Sequence, residues 1–205
     1  MYIRKFTYTA RDVQCKYCTE HLPEGRCAQK KCPYIAERIE ANAISYGDVL
    51  HSIVFPNKSV RKRLPQLIQN HHDSFWLDGS HMTRMKLLHN RLGFVKKRNT
   101  PGYYAAMYVL TASDTLLSRT EKCFLKNGID FQLASMTGIS LDDYILYRAA
   151  VSFYTKQGGV TLDELGDKKL VSDQMFRLVI NGLLIAKYGL AVMILKTHKE
   201  GDHKQ

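Results

Sequence analysis

"SDQMFRLVINGLLIAKYGLAVMIL", residues 172 to 195, could belong to a membrane span or to a buried helix. Its apolar part, Leu178 to Leu195, approaches the roughly 20 residues that a bilayer-crossing helix takes. Yet Asn181, Gly182, Lys187 and Gly189 lie inside it, and a lysine deep in hydrocarbon is costly. Ser172 is a good N-cap and Gly189 a good terminator, so the spacing predicts a buried helix ending near Gly189 rather than a membrane span. A helix that is apolar nearly all round needs a protein core around it.

The preceding residues supply that core. Ser140, with Asp143 three residues on, predicts a helix through Gln157 ahead of Gly158 and Gly159, and it too is apolar on most sides. "PGYYAAMYVLTA" from Pro101 predicts another, Ser113 to Asn127 closed by Gly128 a further one, and Thr161 starts a short one at "LDEL". Together they make an all-α domain. Upstream, Ser80 to Gly93 reads as a helix with Met82, Met85, Leu88 and Leu92 on one face and Arg84 and Arg91 on its flank. Pro33 opens "PYIAERIEANA", with Ile35, Ile39 and Ala43 on one face, and Ser45 with Asp48 starts a helix through Phe55 that Pro56 stops. At the start, "MYIRKFTYTARD" alternates polar and apolar residues as a short strand does. No basic segment leading into an apolar run opens the chain, so a cytoplasmic location and no membrane are expected.

The 205 residues are 45% hydrophobic, enough to bury a core. The net charge of +11 is unevenly placed: residues 1–100 hold 18 Lys/Arg against 8 Asp/Glu, while residues 101–195 hold 9 against 9. A basic first half beside a neutral second half points to a polyanionic partner, nucleic acid or a ribonucleoprotein. The basic residues that read as contacts are Lys16, Arg26, Lys30, Lys31, Arg61, Lys62, Arg63, Arg84, Arg91, Lys96, Lys97 and Arg98. Arg61–Arg63 is the densest cluster, and Pro65 just beyond it suggests a loop or helix start that holds it in solvent.

Four of the five cysteines, Cys15, Cys18, Cys27 and Cys32, are spaced C-x2-C-x8-C-x4-C around a Pro23–Gly25 turn. The first pair makes a knuckle whose thiolates reach one ion, and the later pair completes a tetrahedron. In a reducing compartment that spacing favours zinc over disulfides. Four thiolates leave no open position, so the zinc is structural and the cluster carries a charge of about −2 by the usual ligand protonation states. Some of Lys16, Arg26, Lys30 and Lys31 would then offset the cluster rather than meet phosphate. Cys123, alone on an expected helix, reads as a buried small apolar residue.

No glycine-rich phosphate loop, nucleophile elbow, zinc-protease signature or internal repeat occurs. His71-His72-Asp73, His81 and His89 are the residues an acid-base enzyme would use, but His81 and His89 read better as hydrogen-bonded histidines at a core edge, while the adjacent His71 and His72 point in different directions with no second acidic residue at a diagnostic spacing. No catalytic residue is assigned.

"YIRKFTYTARDVQCKYCTEH", with "CPYIAERIEA" after it, resembles the cysteine-rich start of small accessory proteins on conjugative elements and plasmids of Gram-positive bacteria. The part from "HMTRMKLLHNRLG" to "LLIAKYGL" resembles a helical family of unknown function from the same settings. The resemblance implies the metal set Cys15, Cys18, Cys27 and Cys32, and no functional residue in the helical part. Accessory proteins of this kind include anti-CRISPR proteins, which disable a type II effector nuclease and its guide RNA.

The expectation is therefore a mainly α chain: a small four-cysteine zinc-knuckle module with a short N-terminal strand, followed by an all-α helical domain. Its segments would be 1–57, the basic zinc module; 58–100, a basic helical connector; 101–196, the neutral all-α domain; and 197–205, a polar tail. The expected function is non-enzymatic binding of a nucleic acid, RNA or DNA, or of a ribonucleoprotein, most specifically inhibition of a type II CRISPR effector and its guide RNA. The alternatives are a DNA-binding regulator of a mobile element and a His-based ribonuclease.

Overall fold

The computed structural model describes residues 8–20, 22 and 32–197. The chain is mainly helical, with nine α-helices and one two-stranded antiparallel hairpin among the described residues. None of those helices is long and apolar enough to cross a membrane. The chain divides into two compact units that interleave along the sequence, where consecutive segments were expected.

The larger unit comprises Asn57–Arg63 and Phe75–Leu190. Its centre is α5 (Pro101–Leu110), packed against α7 (Leu141–Thr155) and α9 (Asp173–Tyr188). Each of the three starts where a hydroxyl side chain accepts a backbone N–H: Thr100 from Tyr103, Ser140 from Asp143 and Ser172 from Met175. Two glycines permit the close approach. A Cβ on Gly102 would lie 2.5 Å from the Phe153 carbonyl oxygen, and one on Gly182 would lie 2.5 Å from the Phe153 ring and 3.0 Å from Val109. Asn181, buried beside Gly182, donates to the Phe75 carbonyl at 3.4 Å and reaches the Tyr108 hydroxyl at 3.4 Å, so its polarity is met inside the core.

Around this core run α4 (Gly79–Leu92), α6 (Asp114–Thr120) and α8 (Leu162–Gly166). α8 carries the capping box expected at Thr161. The helix expected to run to Asn127 ends at Thr120 instead. A 3₁₀ turn (Glu121–Cys123) follows, then the hairpin of β1 (Phe124–Leu125) and β2 (Gly128–Ile129). Gly128 is therefore a hairpin residue, and a Cβ there would meet the Tyr154 hydroxyl at 2.2 Å. Cys123 is buried, as expected.

The smaller unit takes the described residues up to Pro56, then Leu64–Ser74, then those from Ala191. It contains α1 (Ile35–Glu40) and α2 (Tyr46–His51). The Ser45–Asp48 capping box is present, but α2 closes at His51, short of Phe55. α1 begins at Ile35, two residues after the expected first position Pro33, with Tyr34 as its N-cap. Over Tyr8–Asp12 the expected strand is replaced by a turn in which the Asp12 N–H donates to the Thr9 carbonyl at 3.0 Å; residues 1–7 lie outside the described residues. The returning C-terminal segment closes this unit. The Tyr46 N–H donates to the Lys196 carbonyl at 2.9 Å, and the Asp73 carboxylate accepts from the Thr197 backbone N–H and, at 2.8 Å, from its hydroxyl.

α3 (Lys58–Gln69) corrects one expectation directly. The basic cluster lies within this helix, which continues through Pro65. Asn57 caps its start by accepting the Val60 N–H at 2.9 Å. With a helical backbone the three consecutive cations point in different directions, about 100° apart.

Candidate functional site

Three of the four clustered cysteines are among the residues that line one cavity. It has a volume of about 400 Å³, and Cys15, Cys18 and Cys32 line it together with Tyr8, Tyr17 and Tyr34. All three thiols are free of disulfides. The C-x2-C segment folds as a single 3₁₀ turn (Cys15–Tyr17), closed by the Cys18 N–H donating to the Cys15 carbonyl at 2.9 Å. Beyond it, the Glu20 N–H points at Cys18 Sγ across 3.4 Å. Such a donor stabilises a sulfur that carries negative charge, as a metal-bound thiolate does. Lys16 lies over the Tyr17 ring at 4.8 Å and adds positive potential beside the turn. On the approach to that turn the Asp12 carboxylate accepts from the Thr9 N–H and hydroxyl at 2.8 and 2.6 Å, which holds its pKa below the usual range.

The donor set suits zinc, which takes soft thiolates in a tetrahedron. Among the described residues no three metal-binding side chains are drawn together around one point. Cys27, His21, Arg26, Lys30 and Lys31 lie outside the described residues.

The structure sorts the remaining basic residues into two groups, a distinction that spacing did not reveal. Arg63 is not a surface contact. It is 3% exposed, donates to the Leu165 carbonyl at 2.9 Å and to Asp173 at 2.8 Å, and lies over the Phe176 ring. Arg98 is likewise buried, and its guanidinium bonds the carbonyls of Leu92, Gly93 and Lys126. Arg84 donates to the Thr111 and Ala112 carbonyls, both at 2.7 Å, fastening α4 to the end of α5. Arg91 is exposed and paired with Glu121. Arg61, Lys62, Lys96 and Lys97 of the expected set are exposed as well, with Lys16 beside the cysteines. Lys58, not singled out by the sequence, is exposed too and lies three and four residues before Arg61 and Lys62, so the three share one face of α3.

The histidines behave as core residues where they are buried. His71 stacks on Tyr46, with ring centroids 3.6 Å apart and planes 4° apart, and its Nε2 lies 3.2 Å from the Leu195 carbonyl. His81 is fully buried, its Nδ1 accepting the Leu77 N–H at 3.2 Å and its Nε2 donating to the Tyr108 carbonyl at 2.8 Å. Both ring nitrogens are thus engaged, and neither is open to a substrate. Burial pushes the His81 pKa down to about 4. His72 is exposed with a left-handed backbone at φ 48°, and His89 approaches the Tyr104 hydroxyl at 3.3 Å.

The His81 shift has a pH consequence with a definite sign. The unfolded histidine takes up its proton near pH 6.5 and the folded one only near pH 4. The unfolded state therefore binds more protons between those values, and stability falls as pH drops through that window. The loss expected from this residue is up to about 3 kcal/mol. Denaturant melts from pH 7 to pH 4 should show a shallower decline for His81→Gln than for the parent; equal slopes would remove His81 from the account.

No protein family, curated protein or solved structure matches the chain.

Proposed function

We propose that this chain is a non-catalytic binding protein. Its four-cysteine segment holds a structural zinc through Cys15, Cys18, Cys27 and Cys32, and its exposed cations engage RNA or a ribonucleoprotein. The observation that carries the reading is the face of α3 bearing Lys58, Arg61 and Lys62, which remains exposed once the buried arginines are set aside. Cations one helical turn apart match the spacing of successive phosphates closely enough for paired contacts. The zinc would supply local order, since four thiolates leave it no site for a substrate.

The resemblance to accessory proteins of mobile elements gives this reading its most specific form: an anti-CRISPR inhibitor of a type II effector nuclease loaded with guide RNA. Neither alternative has an observation that favours it. Four of the six residues of α2 are buried, which leaves no recognition face there for a DNA regulator. His71 and His81, two of the four ribonuclease candidates, are enclosed.

The test separates surface from buried cations. Arg61→Ser with Lys62→Ser should weaken binding to guide RNA or its nuclease complex and lower the salt slope of log affinity by roughly 1.4 to 1.8 if both meet phosphates. Stability should fall less than in the Arg63 variant, whose side chain is buried. Arg63→Met should do the reverse, costing about 2 kcal/mol of stability through its lost buried hydrogen bonds and leaving the salt slope unchanged. Lys169→Ser is the control. A double variant that binds and inhibits like the parent would overturn the reading.

A further inference from the structure

We infer that the loop after α4, residues 93–99, is a platform for single-stranded nucleic acid, on which Phe94 stacks a base while Lys96 and Lys97 meet the flanking phosphates. The inference rests on the proposed binding function and names the surface and the substrate class within it.

Phe94 is 69% exposed, as open as any large apolar side chain among the described residues. A lone exposed phenylalanine is ordinary. What distinguishes this one is that hydrogen bonds fix the backbone of its loop on both sides of it in sequence, at Gly93 and at Val95. Gly93 ends α4 with φ +65°, turning the chain outward. Arg98 lies buried behind the loop, with its guanidinium on the carbonyls of Leu92, Gly93 and Lys126 and its Nε donating to Asn99 Oδ1 at 3.1 Å. The same Asn99 oxygen accepts the Val95 N–H at 2.8 Å, and its amide donates to the Tyr104 hydroxyl at 3.0 Å. Loops fixed this thoroughly by buried polar groups are pre-organised, and a pre-organised aromatic loses little entropy on binding.

Charge agrees with that geometry. Arg91 to Arg98, "RLGFVKKR", contains four cations and no acid. Arg91 is neutralised by Glu121 and Arg98 is spent inside the fold, which leaves Lys96 and Lys97 in solvent with no acidic partner among the described residues. Arg98 also brings the hairpin backbone at Lys126 against the loop, and the Lys126 side chain is exposed. A ring flanked by cations is how proteins hold an unpaired strand: the π face takes any base and the ammonium groups take the backbone. In a duplex the bases are already stacked and cannot reach a phenyl ring, so a duplex would engage only the lysines.

The test uses the full chain and a fluorescent oligouridine RNA, alone and annealed to its complement. The parent should bind the single strand more tightly than the duplex. Phe94→Ala should weaken single-strand binding roughly 5- to 100-fold, the value of one stacked base, with no change in salt slope. Phe94→Trp should restore it. Lys96→Ser with Lys97→Ser should lower the slope by about 1.4. Because Phe94 is exposed, its variants should melt with the parent, and that measurement guards against misfolding. If the parent binds the strand and Phe94→Ala binds equally, the platform is wrong while the basic binding function stands. If the loss is the same for strand and duplex, the ring is not stacking and the inference also fails. If the parent binds neither RNA, both the platform and the binding of RNA by this chain are overturned, and a protein surface remains as the partner.

Discussion

Removing the proposed zinc from the purified chain should unfold the described residues around Cys15, Cys18 and Cys32 and leave the α5, α7 and α9 core folded. The reasoning is one of magnitude. Binding of zinc to structural cysteine sites contributes on the order of 10 to 16 kcal/mol, comparable with or larger than the whole stability of an ordinary domain, roughly 5 to 15 kcal/mol. The residues around Cys15 have little else to hold them: Cys15, Tyr17 and Tyr34 are exposed, and no residue of the Cys15–Tyr17 turn is buried. The helical core depends on none of these thiols. Metal analysis should find about one zinc per chain by the four-ligand rule. Chelation should then abolish amide protection around Cys18 while protection in α5 and α9 persists. Cys15→Ser with Cys18→Ser should reproduce that state without chelator. Cys123→Ser should leave the zinc content unchanged, because that thiol is buried in the 3₁₀ turn after α6. A metal-free preparation with the parent's melting curve would end the zinc assignment.

Gly182→Leu should destabilise the larger unit by about 3 kcal/mol or more, the upper range for overpacking a core. Even the first carbon of the new side chain would meet the Phe153 ring at 2.5 Å and Val109 at 3.0 Å, and three further carbons have nowhere to go. Moving Phe153 aside is obstructed as well, because its own carbonyl is in the close approach to Gly102. Gly182→Ala should fall between parent and leucine variant. Thermal melts followed by circular dichroism measure both, and a leucine variant within 1 kcal/mol of the parent, small against this overpacking range, would show that α9 is more loosely set than the geometry says.

Much of the helical core was legible because its signals are local. Ser140, Thr161 and Ser172 each cap a helix within a residue of the predicted start, and Gly189 ends the last. A hydroxyl three residues ahead of its backbone partner needs no knowledge of the rest of the fold. Arg63 and Arg98 were misread for the opposite reason. Whether an arginine meets solvent or a carbonyl depends on what packs beside it, and the partners of Arg63 stand 102 and 110 residues away. The hairpin after Thr120 was missed on similar grounds, since its glycine is required by Tyr154 rather than by the end of a helix. α3 shows the limit of a breaker residue: Pro65 removes one backbone N–H, yet Leu64 and Leu67 on either side of it are buried, and that burial keeps the helix going. The four-cysteine spacing was plain in the sequence, and three of its members do line one cavity.

The C-terminal strap that holds Tyr46, His71 and Asp73 sets an order of events during synthesis. Those three residues leave the ribosome early, but Leu195, Lys196 and Thr197 are among the last described residues to be made. At about 5 to 20 residues per second, the chain from Ser74 to Ala191 takes roughly 6 to 24 seconds to translate. Throughout that interval the Tyr46 backbone N–H and the His71 ring lack the carbonyls that complete their setting. A chain cut short before residue 195 would never acquire them, so a stop codon just upstream of that position would damage residues made long before it.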